Sequence, residues 1–259
     1  MSRNKRQERM SRREKVGEVL PVVHGEVVVP RQQHATKLEP ANPRQKQLLA
    51  FLREGRQVVF AQGSAGTGKS FIAAYYAAEQ LRLKKIDKIY LVRANVSTGK
   101  SLGMLPGTLE EKLLPFFKQT LSHLATFMGQ SFLTYCTEKN VVEMLSIEHM
   151  RGMSVERAMV IVEESQNLTS DELEMILSRI GDASQFVFTG DQKQNDLKGA
   201  SGLISTIDLI ARMLDSQPEY LDDSDVQCLD DNIGIVTFTP ADVVRSGLCK
   251  AFVKMYYNN

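Results

Sequence analysis

"QVVFAQGSAGTGKSFIAAYYAAEQLR", residues 57–82, decides how this chain is read. An apolar run rich in β-branched residues, a glycine-rich loop and an alanine-rich helix follow one another without a break. Within it "GSAGTGKS", residues 63–70, matches the phosphate-loop pattern G-x-x-x-x-G-K-[ST] in full. Gly63, Gly66 and Gly68 let the backbone curl, so that N–H groups along Ser64, Ala65 and Thr67 point at phosphate oxygens. A helix starting near Lys69 adds its positive end. Lys69 can reach the β- and γ-phosphates of a nucleotide, and the Ser70 hydroxyl can ligate Mg²⁺. A plain glycine turn after a strand is the alternative, but strand before and helix after is the context that a phosphate loop requires.

The flanking pattern is an alternation of strands and helices. "RQKQLLAFL" reads as a helix and "QVVFAQ" as a buried strand, with "DKIYLVR", "NVVEMLSIEHM", "AMVIVEE", "SQFVFTG" and "IGIVTF" as further strands. "SDELEMILSRI", "GLISTIDLIARML" and "DVVRSGLCKAFVKMYY" carry helical spacing. The predicted fold is therefore α/β: a mostly parallel sheet flanked by helices on both faces, of the RecA-like nucleoside-triphosphatase kind. The domain starts at residue 43, preceded by a basic arm and linker over residues 1–42.

"VIVEESQN", residues 160–167, is an apolar strand ending on two adjacent carboxylates. Ligands in parallel sheets gather at the carboxyl ends of strands, so Glu163 and Glu164 are expected beside the phosphate loop. Neighbouring side chains on a strand point opposite ways and can take separate tasks. Glu163 is the Mg²⁺ candidate, and Glu164 the group that orients or deprotonates an attacking water. An acidic helix start is the bland alternative. A third strand end, "TGDQKQ" over residues 189–194, offers Thr189, Asp191 and Gln194 as sensors of a γ-phosphate, or else a simple β-turn at Gly190 and Asp191.

Composition excludes several classes. The 259 residues are 42% apolar and 24% charged, with net charge +1, so the total charge argues neither for nor against nucleic acid. Three scattered cysteines fit neither a disulfide framework nor a zinc site, which predicts a reducing cytoplasm. No apolar run is long enough to span a membrane, and none of the four histidines is a metal candidate. Residues 1–15 hold seven Lys/Arg against two Glu, a composition that fits a solvated tail and a phosphate-backbone contact alike.

Together these stretches resemble the PhoH family of P-loop ATPases, which has phage-encoded members. The resemblance runs from about residue 44 to 257. It rests on "GSAGTGKS", "VRANVSTGKSLGMLPGTLEEKLLPF", "EHMRG", "VIVEESQN", "LSRIGDASQFVFTGDQKQNDL" and "DVVRSGL". It implies ATP and Mg²⁺ as ligands and a core similar to superfamily-one helicases, with Gly190, Asp191 and Gln194 matching their third motif. It further implies that Gln45 reads adenine and that Arg179 is a second phosphate sensor. Arg245 would reach a γ-phosphate, from a neighbouring subunit of a hexameric ring. Gln45 as surface helix, and the two arginines as helix residues lying along their own surface, are the ordinary readings. The family usually has aspartate where this chain has Glu163, which points to altered metal geometry or slow turnover.

The resemblance makes RNA or single-stranded DNA a candidate partner, with Arg93, Lys100 and Arg151 as candidate contacts, and a glycine-rich structural turn is an equal reading of residues 97–107. "TGKS" at residues 98–101 is no second phosphate loop, since its first glycine is missing. Family members fused to a PIN domain cleave RNA, and the 42 leading residues here are expected to hold no such domain. A nucleotide-gated binding protein with negligible turnover is the second function class. A small kinase would need an acceptor site and a basic lid, whereas the Gly190, Asp191 and Gln194 pattern and the paired acids point to water as acceptor, and no Asn-Lys-x-Asp guanine reader argues for a GTPase.

Overall fold

The computed structural model describes residues 38–93, 109–197, 199–216 and 218–257, which form one compact unit. The basic arm and residues 94–108, which include Lys100, lie outside the described residues. Helix α1 (Pro43–Arg53) starts where Asn42 accepts the Gln45 N–H and Pro43 takes the first helical position. Strand β1 (Val58–Gly63) leads through the glycine loop into α2 (Lys69–Arg82), then β2 (Lys88–Arg93). Next come α3 (Leu109–Met128), α4 (Gln130–Glu138), β3 (Val142–Ser146) and the one-turn α5 (Ile147–Met150). Strand β4 (Ala158–Glu163) is followed by α6 (Ser170–Leu177), whose start is held by a reciprocal Thr169–Glu172 cap. The chain continues through β5 (Gln185–Gly190), α7 (Gly202–Ser216), α8 (Asp223–Asn232), β6 (Ile233–Phe238) and α9 (Gly247–Tyr257).

The strands form a six-stranded sheet in the order β3-β2-β4-β5-β1-β6, and every neighbouring pair is parallel. Side-chain alternation sorts the apolar runs onto two faces. Val59, Ala61, Met159, Ile161 and Val187 pack under α1, α2, α3 and α4. Phe60, Val160, Val162, Phe186 and Phe188 pack under α5, α6 and α7. This is why "VVFA" and "AMVIV" are continuous rather than alternating: each strand is covered on both sides. Phe60 and Phe188 stack across β1 and β5 at 5.1 Å. Burying each such ring contributes roughly 1.5–3 kcal/mol. Ala73, Ala74 and Ala77 are fully buried, so the small residues of α2 let this helix lie close on the sheet.

From β1 the chain crosses to β2 on one side, and from β5 it goes to β6 on the other. Such a divergence opens a crevice beyond the carboxyl ends of the strands. Four details depart from the sequence reading. Helices α3 and α4 have no counterpart in it, and Pro115 within α3 breaks the pattern that would announce that helix. Leu113, Phe117 and Leu124 are buried and anchor α3 in spite of the proline. Helix α8 likewise has no counterpart, and none of its residues is buried. "EHM" is helical rather than extended, and α9 starts at Gly247 because residues 240–242 form a short 3₁₀ turn.

Candidate nucleotide-binding site

The phosphate loop is shaped by contacts that exclude side chains. Gly63 has φ 121°, and a Cβ there would lie 1.9 Å from the Phe238 carbonyl oxygen of β6. Gly68 has φ 87°, and a Cβ there would lie 2.5 Å from Gln45 Nε2. Gly63 therefore needs glycine on two counts, positive φ and close approach of backbone, and Gly68 on the first. Ser64 and Thr67 are fully buried, and the Thr67 hydroxyl donates to the Ser64 carbonyl at 2.9 Å. Lys69 folds onto its own loop, donating to the carbonyls of Gly63 at 2.6 Å and Ser64 at 2.8 Å. Burial lowers its pKa to about 8, against the opposing pull of Asp191 and Glu164. A cation held by carbonyl dipoles at the base of a cleft is a ready acceptor for a polyphosphate.

That cleft has a volume of about 510 Å³ and is lined by Lys69, Ser70, Glu163, Glu164, Asp191 and Gln194, among others. The two carboxylates are placed differently, because β4 ends at Glu163 and Glu164 lies on the turn beyond it. Glu163 is 8% exposed, and Thr120 of α3 donates its hydroxyl hydrogen to Oε1. Burial raises the Glu163 pKa, while hydrogen bonds from Thr120 and Ser70 work the other way. The Ser70 hydroxyl and the Glu163 carboxylate line the same cleft. Both are hard oxygen donors, which fits Mg²⁺. Among the described residues no group of three or more His, Cys, Asp or Glu could hold a metal alone. Ser70 and Glu163 would complete their shell with phosphate oxygens and waters, as Mg²⁺ sites commonly do. Thr120 supplies a partner for the longer glutamate where the family resemblance leads one to expect aspartate.

Glu164 has left the strand. Its backbone is left-handed, φ 50° and ψ 37°, and its carboxylate accepts from Gln166 Nε2 at 2.7 Å and faces Arg93 Nη2 at 3.7 Å. The rest of "EESQN" ties β4 to β5. Ser165 donates to the Thr189 carbonyl at 2.9 Å, Gln166 Oε1 accepts from the Asp191 N–H at 3.0 Å, and Asn167 Oδ1 accepts from the Asp196 N–H at 2.8 Å. Asp191 in turn spans the site, with Oδ2 accepting from the Ala65 N–H at 3.1 Å and from Gln194 Nε2 at 3.0 Å.

A family model described as PhoH-like protein matches residues 37–257. This chain belongs to the PhoH family. Protein PhoH of Escherichia coli (strain K12) is 34% identical over 223 residues, covering 84% of this chain and 58% of that protein. A PhoH-like protein of Mycobacterium tuberculosis (strain ATCC 25618 / H37Rv) is 34% identical over 205 residues, covering 78% of this chain and 53% of the relative. The chain thus spans somewhat over half the length of these relatives. Among solved structures, the large terminase from a thermophilic bacteriophage is similar at TM-score 0.49 and 13% identity, over 85% of this chain and 50% of that one. The Pif1 helicase from Candida albicans is similar at TM-score 0.39 and 14% identity, over 85% of this chain and 44% of that one.

In this PhoH-family chain the other expected residues divide. Gln45 is 3% exposed, with Oε1 accepting from the Ala41 N–H and Nε2 donating to the Thr67 carbonyl, both at 2.8 Å. It lines the cleft and also braces the phosphate loop, keeping one donor hydrogen and one lone pair for a base. Arg245, expected to act from a neighbour, lines its own chain's cleft. A Cβ on Gly66 would lie 3.1 Å from its Cγ. The Val244 N–H bonds the Gly66 carbonyl at 3.0 Å, fixing that approach.

Arg179 does not join the cleft. Its Nε bonds back to the Met175 carbonyl at 3.3 Å, and it follows α6 beside Val155, ahead of β4. That is the amino edge of the sheet, opposite the phosphate loop, so Arg179 stands apart from this chain's cleft. Arg151 is exposed and not among the residues lining the cleft. Residues missed by the sequence reading come chiefly from α3: Phe116, Gln119, Thr120 and His123, at helical spacing, face the site. His123 packs edge-on against Phe71 at 5.1 Å, and burial, with Arg245 adding to it, lowers its pKa. Phe116, Gln119, Thr120 and His123 recur at i, i+3, i+4 and i+7, the one signal that would have found them.

Proposed function

We propose that the chain hydrolyses ATP with Mg²⁺ and couples this to RNA or single-stranded DNA. The single observation that carries the reading is the meeting of Lys69, Ser70, Glu163 and Glu164 in one cleft, drawn from the start of α2, the end of β4 and the turn beyond it. Lys69 would exchange its loop carbonyls for the β- and γ-phosphate oxygens. Ser70 and Glu163 would hold the metal, which supplies charge neutralisation at the phosphates when bound. Glu164, on a tight left-handed turn beyond the strand, would accept the proton of the attacking water. Gln194 and Arg245 would meet the γ-phosphate, and Arg245 needs no neighbouring subunit to do so. Gln45 beside the loop supports adenine as the base.

A hexameric ring stays a proposal from the family resemblance, as does the nucleic-acid partner. The basic composition of residues 1–15 and the position of Arg93 at the rim support the latter. The second reading, a nucleotide-gated protein with negligible turnover, is favoured by one observation: Glu164 is engaged by both Gln166 and Arg93. Steady-state phosphate release by wild type and Glu164→Gln, with and without single-stranded RNA and DNA, separates the two. Release by wild type that the variant loses supports hydrolysis. ATP binding without release under every condition supports the gated reading.

A further inference from the structure

The last residue of α9, outside every motif described above, reaches Asp191, which lines the nucleotide cleft. The Tyr257 hydroxyl donates to Asp191 Oδ1 at 2.6 Å, the short distance of a charge-assisted bond. The same carboxylate accepts from the Lys193 N–H at 3.2 Å, and through Oδ2 from Ala65 of the phosphate loop and from Gln194. Of its four donors, Ala65 and Tyr257 are the ones distant in sequence. Lys193 makes the contact a clasp. Its ammonium lies 4.6 Å from the Tyr257 ring centroid and donates to the Tyr257 carbonyl, capping the carboxyl end of α9. Burial and Asp191 push the Tyr257 phenol up to about 12, so it stays a donor at neutral pH.

We propose that Tyr257 is a positioning residue for the nucleotide site, its hydroxyl holding Asp191 across the phosphate loop and Gln194. The consequence is electrostatic as well as geometric. Asp191 places a negative charge against a loop N–H that faces incoming phosphate. The phenol takes up part of that charge and pins the carboxylate on the Gln194 side. Without it, Asp191 is freer to swing over the loop, where it opposes the more highly charged nucleotide most. The residue is therefore expected to set the preference for a triphosphate over a diphosphate. This rests on the proposed reading of the cleft as an ATP site.

The test is Tyr257→Phe, which keeps the ring and its contact with Lys193 and deletes only the hydroxyl. Affinities for fluorescent ATP and ADP analogues, kcat and KM are measured on the full chain, with Tyr256→Phe as a control, since Tyr256 is 71% exposed. The ATP-to-ADP affinity ratio is expected to fall about 3- to 10-fold in Tyr257→Phe, the scale of one hydrogen bond's net contribution, and to be unchanged in the control. kcat should fall along with the ratio. Adding Tyr257→Phe to Asp191→Asn should cost nothing further, because the hydroxyl acts through that carboxylate. An unchanged ratio in Tyr257→Phe, or full additivity in the double variant, overturns the proposal while the ATP reading stands. A wild-type chain that binds neither nucleotide overturns both.

Discussion

Arg93 Nη2 stands 3.7 Å from Glu164 Oε1, an ion pair joining the end of β2 to the turn beyond β4. In the sheet register Arg93 lies beside Glu163, yet its guanidinium passes that buried carboxylate and meets the next one. It also bonds the Phe116 carbonyl at 3.0 Å and lies 5.4 Å from that residue's ring, so α3, β2 and the proposed base are linked through one side chain.

The pair is 24% and 35% exposed, and at that exposure it is worth under about 1 kcal/mol of stability. Its weight falls on the base instead. Arg93→Ala is expected to leave the melting temperature nearly unchanged and to raise basal phosphate release, by at most about five-fold, as Glu164 is released. Glu164→Gln should lower release by about 10²- to 10⁴-fold and keep ATP affinity. A fall in basal release in Arg93→Ala would show the arginine assisting the reaction rather than restraining it.

Thr120 is fully buried and donates to Glu163. Thr120→Val preserves shape and removes that donor, leaving the carboxylate less firmly oriented. The Mg²⁺ concentration giving half-maximal hydrolysis should rise about 10-fold or more, as for loss of a ligand-orienting hydrogen bond. Glu163→Ala should raise it further. A magnesium titration of the three proteins checks the order.

The Lys69 pKa, lowered to about 8, predicts a pH effect of definite sign. The protonated ammonium binds polyphosphate, so ATP affinity should decline as pH rises through about 8. Stability behaves oppositely. From about pH 8 to 10.5 the unfolded lysine keeps a proton that the folded one has released, so this group's contribution to stability rises with pH. The difference in unfolding free energy between wild type and Lys69→Met should follow that rise, by up to roughly 3 kcal/mol. Denaturant titrations at several pH values measure it.

Arg245 lines the cleft of its own chain. Arg245→Ala should lower kcat by about 10²-fold or more, the scale for losing a charge-stabilising donor. Mixing Arg245→Ala with Lys69→Ala chains distinguishes own-chain from shared sites. No recovery of activity is expected, because no mixed pair of chains would contain a complete cleft. Recovery would place the arginine in a neighbour's site.

Much was determined by local pattern. The phosphate loop, the parallel α/β architecture and the strand ending on two carboxylates all rest on short-range chemistry. Loop glycines serve backbone geometry, and uninterrupted β-branched runs serve strands covered on both faces. The α3 helix was less legible, because Pro115 argues against a helix that only burial of Leu113, Phe117 and Leu124 secures. Arg179 could not be placed from sequence at all, since a helix reverses direction and leads the chain from the ligand edge of the sheet to the other.

What the sequence determined by itself was which groups are present: lysine, hydroxyl and paired carboxylates at the spacing that phosphate chemistry needs. Tertiary structure decided which of them meet. Thr120 reaches Glu163 across 43 residues, Tyr257 reaches Asp191 across 66, and Arg245 folds over its own Gly66. Such contacts depend on where helices pack against the sheet, a property of the whole core that no local pattern encodes.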